Sequence, residues 1–285
     1  MGQDSMHLIN KIFNNETIRT VWDKEDEKYY ISVIDIISVL NESSYQDSRN
    51  YWKVLKHRLK EEGNETVTNC NQLKLKAFDG KYRLTDVVDI ENMFRLIESI
   101  PSKNAEPIKQ WLAHLGSERI DEVFDPSISA QRAIDLYRAK GYDEAWIQKR
   151  LKGMQDRKQL TDVWKDGNIK EGKEFAILTN EIYKEWSGMS AKEYKEYKGL
   201  RKESLRDNMS DIEVTLADLG EIATREIAKK HKPQGLKENI KVAREGGSVA
   251  KNARVDLERK IGESVITKNN ALNYEYKEEN LLENK

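Results

Sequence analysis

The most chemically suggestive stretch of the chain is SRNYWKVLKHRLKEEG, residues 48–63, which combines closely spaced cationic and aromatic side chains. On a helix, which turns about 100° per residue, this segment sorts into two separate stripes. The basic stripe comprises Arg49, Lys53, Lys56 and Lys60. The apolar stripe comprises Trp52, Leu55 and Leu59. Such a helix can dock on a protein core through its apolar stripe while it holds its cations toward a phosphate backbone, an acidic protein surface or water.

A second group of cations follows in LKLKAFDGKYRL, residues 73–84, where alternating apolar and polar residues predict a β-hairpin. Lys74 and Lys76 would share one face of a strand with Tyr82 beside them, and a two-stranded ribbon fits the DNA major groove as a helix does. Residues 45–83 hold nine basic and five acidic residues, a local net charge of +4, whereas the whole chain has a net charge of −1. The candidate DNA-binding residues are Arg49, Lys53, Lys56, His57, Lys60, Lys74, Lys76, Lys81 and Arg83.

This cationic segment has more than one physical explanation. Lys and Arg bind DNA phosphates regardless of sequence because they release condensed counterions, and Arg can also bind guanine. A charged helix face is, however, often only solvated. A helix, a break and a basic helix over residues 33–60 also fit a helix-turn-helix, although the break ESSYQDS is longer than the tight turn of that motif. Tyr51 and Tyr82 could stack on unpaired bases, whereas Trp52 is expected in the core.

Catalytic and metal-binding patterns are weak. Asp166, Glu171 and Lys173 imitate the Asp…Glu-x-Lys pattern of metal-dependent nucleases, but that chemistry normally sits on adjacent strands, and here a loop between helices is expected. The four histidines are scattered, and Cys70 has no Cys or His at the spacing of zinc ligands. No Gly-rich loop ends in Gly-Lys-Ser/Thr, so ATP binding has no support. We therefore expect a non-enzymatic protein with no catalytic residues, no metal site and no cofactor.

Composition indicates a charged, helix-rich protein that does not enter a membrane. The chain has 285 residues, of which 38% are hydrophobic and 35% charged, and its mean hydropathy is −0.82. No apolar run approaches the roughly 18 residues of a membrane span, and the N-terminus MGQDSMHLINKIF lacks the sections of a secretory signal. The lone Cys70 cannot form an internal disulfide, which fits a reducing compartment. These features favour the cytoplasm.

The first part of the chain predicts a mixture of hairpins and helices. IRTVWD (18–23) and KYYISV (28–33) predict a hairpin, and VIDIISVLN (33–41) predicts a helix. Ser48 is expected to cap the basic helix and Gly63 to end it. In the next hairpin Asp79-Gly80 predicts a two-residue turn, after which Thr85 or Asp86 would open a helix that ends before Pro101.

The second part of the chain predicts almost only helices. Asp125-Pro126 is a natural joint, and the Gly246-Gly247 pair is expected to break or bend the last helix. The fold class is therefore α+β, with β-hairpins and helices packed in an N-terminal domain followed by a mostly α-helical region. We expect domains at 16–120 and 126–267 and a flexible tail at 268–285. An apolar stripe in the helices around DIEVTLADLGEIATREI (211–227) could be core or a homo-oligomer contact.

The first half resembles the N-terminal domain of the BRO family, which occurs in phage antirepressors and related DNA-binding proteins. The likeness rests on YYISVIDIISVLNES, SRNYWKVLKHRLKEEG, LKAFDGKYRLTDVVDIENMFRLIESIPS and KQWLAHLGSERIDE in this order. It covers about residues 16–120. This resemblance implies a DNA-binding regulatory protein of phage or damage-response type, with DNA as a partner and no family catalytic residue to carry over.

The second half is similar to a region of bacterial DNA-damage-inducible protein D. The matching stretches are GLRKESLRDNMSDIEVTLADLGEIATREIA (199–228) and GLKENIKVAREGGSVAKNARVDLERKIGESVIT (235–267). This resemblance implies a protein partner such as a recombinase filament or a repressor and links the protein to the SOS response. The alternative is an antirepressor-like protein-interaction module that binds such a partner without contacting DNA.

Overall fold

The computed structural model describes residues 12–13, 18–64, 70–77 and 79–270. The chain divides into two compact units between Gln131 and Arg132. The N-terminal unit combines a small antiparallel sheet with helices, and the C-terminal unit is helical in its described part. The α+β fold class is therefore confirmed. Residues 271–285, which include most of the expected flexible tail, lie outside the described residues.

Four strands form the sheet in the described part of the N-terminal unit, in the order β1-β2-β4-β3 with antiparallel neighbours. They are β1 (Thr20–Asp23), β2 (Lys28–Ser32), β3 (Asn71–Lys76) and β4 (Tyr82–Val88). Both expected hairpins are present. The expected two-residue turn at Asp79-Gly80 is wrong, because the Ala77 amide donates to the Lys81 carbonyl at 2.8 Å and three residues separate these two. The Gly80 amide in turn donates to the Ala77 carbonyl at 2.9 Å, which closes the turn.

Two helices connect the hairpins: α1 (Val33–Asn41) and α2 (Tyr45–Glu61). The α1 prediction is confirmed. Helix α2 begins earlier than expected, because Ser44 and not Ser48 is its cap, and the Ser44 Oγ accepts a hydrogen bond from the Asp47 amide at 3.1 Å. The predicted stop is confirmed, since α2 ends at Glu61 and Gly63 adopts a left-handed φ of 74°.

Helices α3 (Ile90–Ser99) and α4 (Glu106–Phe124) complete most of the N-terminal unit. The expected opening of α3 at Thr85 or Asp86 is wrong. Strand β4 continues to Val88 because Val87 and Val88 pair with β2, and Asp89 then caps α3 by accepting from the Asn92 amide. The core of this unit collects the apolar faces of α1, α2 and α3, including Ile36, Ile37, Trp52, Leu55, Leu59, Met93, Leu96 and Ile97.

The remaining helices follow the Asp125-Pro126 joint, which lies between α4 and α5 as expected. They are α5 (Pro126–Ala139), α6 (Glu144–Asp166), α7 (Lys173–Ser187), α8 (Ala191–Tyr197), α9 (Asp211–His231) and α10 (Gly235–Ile261), with a short 3₁₀ turn at Arg206–Asn208. Helices α6, α7, α9 and α10 pack on one another around buried Trp164, Ile182 and Trp186. None of the helices in the described part of the chain has a stretch both long and apolar enough to span a lipid bilayer.

Helix α10 is continuous through Gly246-Gly247, so the expected break is wrong. The glycines instead allow close packing. A Cβ atom built on Gly246 would lie 2.6 Å from the Thr224 Cα of α9, and one on Gly247 would lie 2.9 Å from the Ile182 carbonyl oxygen of α7. Because no side chain can fit at either place, α10 packs backbone to backbone against its neighbours.

Candidate nucleic-acid interface

Helix α2 is fixed to the N-terminal core by its apolar stripe. Trp52, Leu55 and Leu59 are almost fully buried, as the sequence pattern predicts. The Trp52 indole Nε1 donates to the Asp86 Oδ2 of β4 at 2.7 Å, and the Arg58 guanidinium donates to the Ser99 carbonyl of α3 at 2.8 Å. The helix is therefore held by contacts to both the sheet and α3.

Exposed cations lie on one flank of α2, beside its buried stripe. Arg49, Lys53 and Lys60 are all exposed. Within the described ranges, no side-chain hydrogen bond or ion pair joins any of these three residues to another residue. Their charges are therefore presented to solvent, with about one helical turn between Arg49 and Lys53 and about two between Lys53 and Lys60. We call Arg49, Lys53 and Lys60 the α2 cations.

Lys56 and His57 differ from the α2 cations, although the sequence groups all five together. Lys56 is half-buried, and its Nζ lies 3.1 Å from the Asp86 Oδ2 and 5.5 Å from the centre of the Trp52 ring. Lys56 therefore helps to dock α2 on the sheet. His57 is exposed, and its Nε2 lies 3.5 Å from the Glu61 Oε1, so a protonated ring at this position has a carboxylate beside it.

Asp86 is the acceptor that joins α2 to the β3–β4 hairpin. Its carboxylate accepts hydrogen bonds from Trp52 Nε1 and Lys56 Nζ of α2 and from Gln72 Nε2 of β3. Burial alone would raise the pKa of Asp86, but these three donors hold that pKa below its ordinary value. The carboxylate is therefore ionised at neutral pH and acts as a hydrogen-bonded anchor for the helix.

The register of the hairpin decides which of its cations share a side with α2. Lys74 lies opposite Leu84, Lys76 opposite Tyr82, and Gln72 opposite Asp86. Directly opposed residues point to the same face, and this face alternates along each strand. Lys74, Lys76 and Tyr82 therefore share a face, as expected, and it is the face on which Asp86 contacts α2.

Arg83 lies on the other face of the hairpin by strand register, yet it also lines the cleft that Arg49 and Lys53 line. It lies opposite the buried Leu75 on the other face of the hairpin, and its guanidinium forms an ion pair with Asp79. Lys81 is exposed in the loop between the strands. By strand register, Lys74 and Lys76 lie on the side of the sheet on which Asp86 contacts α2, and Arg83 borders the same cleft as Arg49 and Lys53.

A cleft of about 290 Å³ lies between α2 and the hairpin. Arg49 and Lys53 of α2 line one wall, and the hairpin lines the other with Gln72, Arg83 and Leu84. Tyr45, at the start of α2, also lines this cleft, and the Arg19 guanidinium lies 5.6 Å from the centre of its ring. The cleft therefore combines cationic, aromatic and apolar groups at one concave surface.

The connection between α1 and α2 is shorter than the sequence suggests. Three residues, 42–44, separate the helices, and Glu42 adopts a left-handed conformation with a φ of 48° and a ψ of 43°. The Oγ atoms of Ser43 and Ser48 lie 2.8 Å apart and tie the turn to α2. This is the length of the turn in a helix-turn-helix unit. Sequence reasoning assigned the polar residues YQDS to the break, although the cap at Ser44 with Asp47 three residues later signals an earlier helix start.

Comparison with known families assigns the N-terminal part of the chain. Residues 17–124 match the family model of the BRO family, N-terminal domain. This Bro-N match supports the resemblance inferred from the sequence, and it suggests a regulatory, DNA-binding type of protein. The match does not extend to the helical C-terminal unit, so the likeness to DNA-damage-inducible protein D remains a prediction. A search of curated proteins finds no match to the chain.

The nuclease-like segment is a loop between two helices. Asp166 ends α6, Lys173 begins α7, and Glu171 between them forms an ion pair with Lys165. Across the described residues, no group of three His, Cys, Asp or Glu side chains is arranged to hold a metal ion. The loop therefore offers no described set of ligands for the two-carboxylate chemistry that such nucleases use.

Proposed function

We propose that this protein is a non-enzymatic, DNA-binding regulator whose Bro-N domain contacts the phosphate backbone of duplex DNA. The α2 cations form the centre of the contact, and Lys74 and Lys76 extend it along the hairpin. The proposal is supported by the family match at residues 17–124 and by the position of these cations on one side of the sheet.

The single observation that carries this proposal is the exposure of Arg49, Lys53 and Lys60 without a described carboxylate partner. A cation that is already paired must lose its partner before it can bind phosphate. An unpaired one only exchanges water and releases a counterion from the DNA, which favours binding by entropy. The weak net charge of the whole chain, −1, means that attraction must come from this local surface.

An electrophoretic mobility-shift assay of the full chain with duplex DNA at low salt tests the proposal. Lys53→Glu should weaken binding strongly, because it replaces an attraction to phosphate by a repulsion. Lys24→Glu is the matched control, since Lys24 is exposed in the turn after β1, at the opposite edge of the sheet from β3. The proposal is contradicted if both substitutions weaken DNA binding equally, or if the wild-type chain does not shift the duplex at all.

We propose in addition that the helical C-terminal unit binds a protein partner, such as a repressor or a recombinase filament. The support is the sequence likeness of residues 199–228 and 235–267 to DNA-damage-inducible protein D. Co-sedimentation of the full chain with recombinase filaments on single-stranded DNA tests this part separately. If no more protein sediments with the filaments than with the single-stranded DNA alone, this part of the proposal is contradicted.

The second candidate function is an antirepressor-like interaction module, in which the α2 cations bind an acidic protein surface. It is supported by the match of residues 17–124 to the BRO family, N-terminal domain, because this domain also occurs in phage antirepressors. This function predicts that the α2 cations bind an acidic protein. It also predicts that the full chain gives no mobility shift of duplex DNA at low salt.

A further inference from the structure

The most outward part of α2 is not uniformly charged. At about 100° per residue, Gln46 and Asn50 lie within about 40° of each other and opposite the buried side of the helix. Both are exposed, and the Gln46 Nε2 lies 3.3 Å from the Asn50 Oδ1. Neutral amide side chains therefore occupy the first two outward turns of α2, between the cations and the exposed Val54.

These side chains have the chemistry that distinguishes base pairs. An amide from Asn or Gln can donate to N7 and accept from N6 of adenine at the same time, which no phosphate contact requires. Val54 is an isolated apolar side chain that is 72% exposed, and such a group can contact the methyl group of thymine.

The scaffold holds this face rigidly, as base reading requires. At the start of α2, the three-residue turn and the Ser43–Ser48 contact set its direction. In its middle, the Trp52 indole is anchored on Asp86, and near its end Arg58 is anchored on the Ser99 carbonyl. A helix held at three points along its length, preceded by a tight turn from another helix, has the layout of a recognition helix.

We infer that α2 lies in the major groove of duplex DNA and that Gln46 and Asn50 select adenine-containing steps there. This inference rests on the proposed function and goes beyond it, because phosphate contacts position the protein whereas amide contacts give it a sequence preference. The α2 cations and the hairpin lysines then contact the phosphates on either side of the groove.

Selection from a duplex library with a random core, carried out with the full chain, tests the inference. The wild-type protein should enrich a preferred sequence that contains adenine. Asn50→Ala and Gln46→Ala, each made alone, should weaken discrimination at one position by about tenfold while the affinity for unselected duplex stays unchanged. Both residues are exposed, so helix content measured by circular dichroism should equal that of the wild type.

Gln110→Ala is the matched control, because Gln110 is an exposed amide on α4 of the same unit. It should leave the preferred sequence unchanged. The inference is overturned if the wild-type chain binds duplexes without enriching any sequence, or if both amide variants enrich the wild-type sequence equally well. That outcome differs from failure of the proposed function, in which no duplex is bound at all.

Discussion

At the residue scale, the partners of each cation decide what that cation can do. In the sequence, Lys56 and Arg83 look equivalent to Lys53. In the structure, however, Lys56 is paired with Asp86 and Arg83 is paired with Asp79. The pairing of Lys56 depends on contact between α2 and β4, which are 30 residues apart at this point. The composition of residues 45–83 predicts a cationic segment, but which of its cations remain exposed follows from tertiary contacts.

A buried ion pair in the N-terminal unit makes the first residue-scale prediction. The Arg19 guanidinium donates to both carboxylate oxygens of Asp35, at 2.6 and 2.7 Å, and both side chains are largely buried. Asp35→Ala leaves that guanidinium without its carboxylate, so the free energy of unfolding should fall by about 3 kcal/mol. Urea unfolding of the full chain measures this loss.

Glu62→Ala is the control for the buried pair, because Glu62 pairs with Arg58 in solvent and should cost less than about 1 kcal/mol. If Asp35→Ala and Glu62→Ala shift the unfolding midpoint equally, the Arg19–Asp35 pair does not stabilise the fold as described.

Asp86 makes a prediction about pH. Burial raises its pKa, but hydrogen bonds from Trp52, Gln72 and Lys56 lower the pKa below the ordinary aspartate value. The ionised form therefore contributes stability that is complete at neutral pH and is lost as the pH falls through the depressed pKa. Asp86→Asn should reduce the free energy of unfolding by about 2 kcal/mol at neutral pH, and this difference should shrink as the pH falls below the ordinary aspartate pKa of 3.8.

Urea unfolding at neutral pH and near pH 3 measures the effect of Asp86→Asn. Asp121→Asn, on the exposed side of α4, is the control and should leave the midpoint unchanged. A deficit in Asp86→Asn that stays constant across this pH range would show that the charge of Asp86 is not what anchors α2.

At the element scale, hydrophobic periodicity predicts the type of each element better than its ends. Helices α1 and α4 were recognisable because their apolar residues repeat at helical spacing. The start of α3 is not recognisable from the sequence, because the pattern of Thr85–Val88 fits both a helix and a strand. Pairing of Val87 and Val88 with β2, whose residues lie more than 50 positions earlier, decides for the strand. Local patterns contain no information about such a distant partner.

Helix α10 gives the element-scale prediction. A Cβ atom on Gly246 would overlap the backbone of Thr224 in α9, where no flexible side chain can move away. Gly246→Ala should therefore lower the free energy of unfolding by about 2 kcal/mol, despite the higher helix propensity of alanine. Thermal unfolding followed by circular dichroism at 222 nm, the signal of helix content, measures it.

Gly116→Ala in α4 is the matched control, since a Cβ atom there meets no neighbour within 4 Å. This substitution should be neutral or stabilise by up to about 1 kcal/mol. A Gly246→Ala variant that is as stable as Gly116→Ala would mean that α9 and α10 do not pack as closely as described.

At the scale of the whole molecule, sequence reasoning identifies an α+β N-terminal part and a helical remainder, and the fold agrees. The grouping of the α2 cations with Lys74 and Lys76 depends on strand register, and the hairpin pattern already predicts the shared face of these lysines. The same alternation predicts that Arg83 lies on the other face of the hairpin, whereas its place beside the cleft required the structure. The tight turn before α2 could have been recognised from its serine cap, whereas the contact of Asp86 with α2 required the structure.

The most direct test of the central claim is the salt dependence of duplex binding by the full wild-type chain. If the three α2 cations each neutralise a phosphate, the logarithm of the binding constant should fall linearly with the logarithm of salt concentration, with a slope of about −3. Lys74 and Lys76 would make that slope steeper. Binding that does not change with salt, or no binding at low salt, would contradict the account.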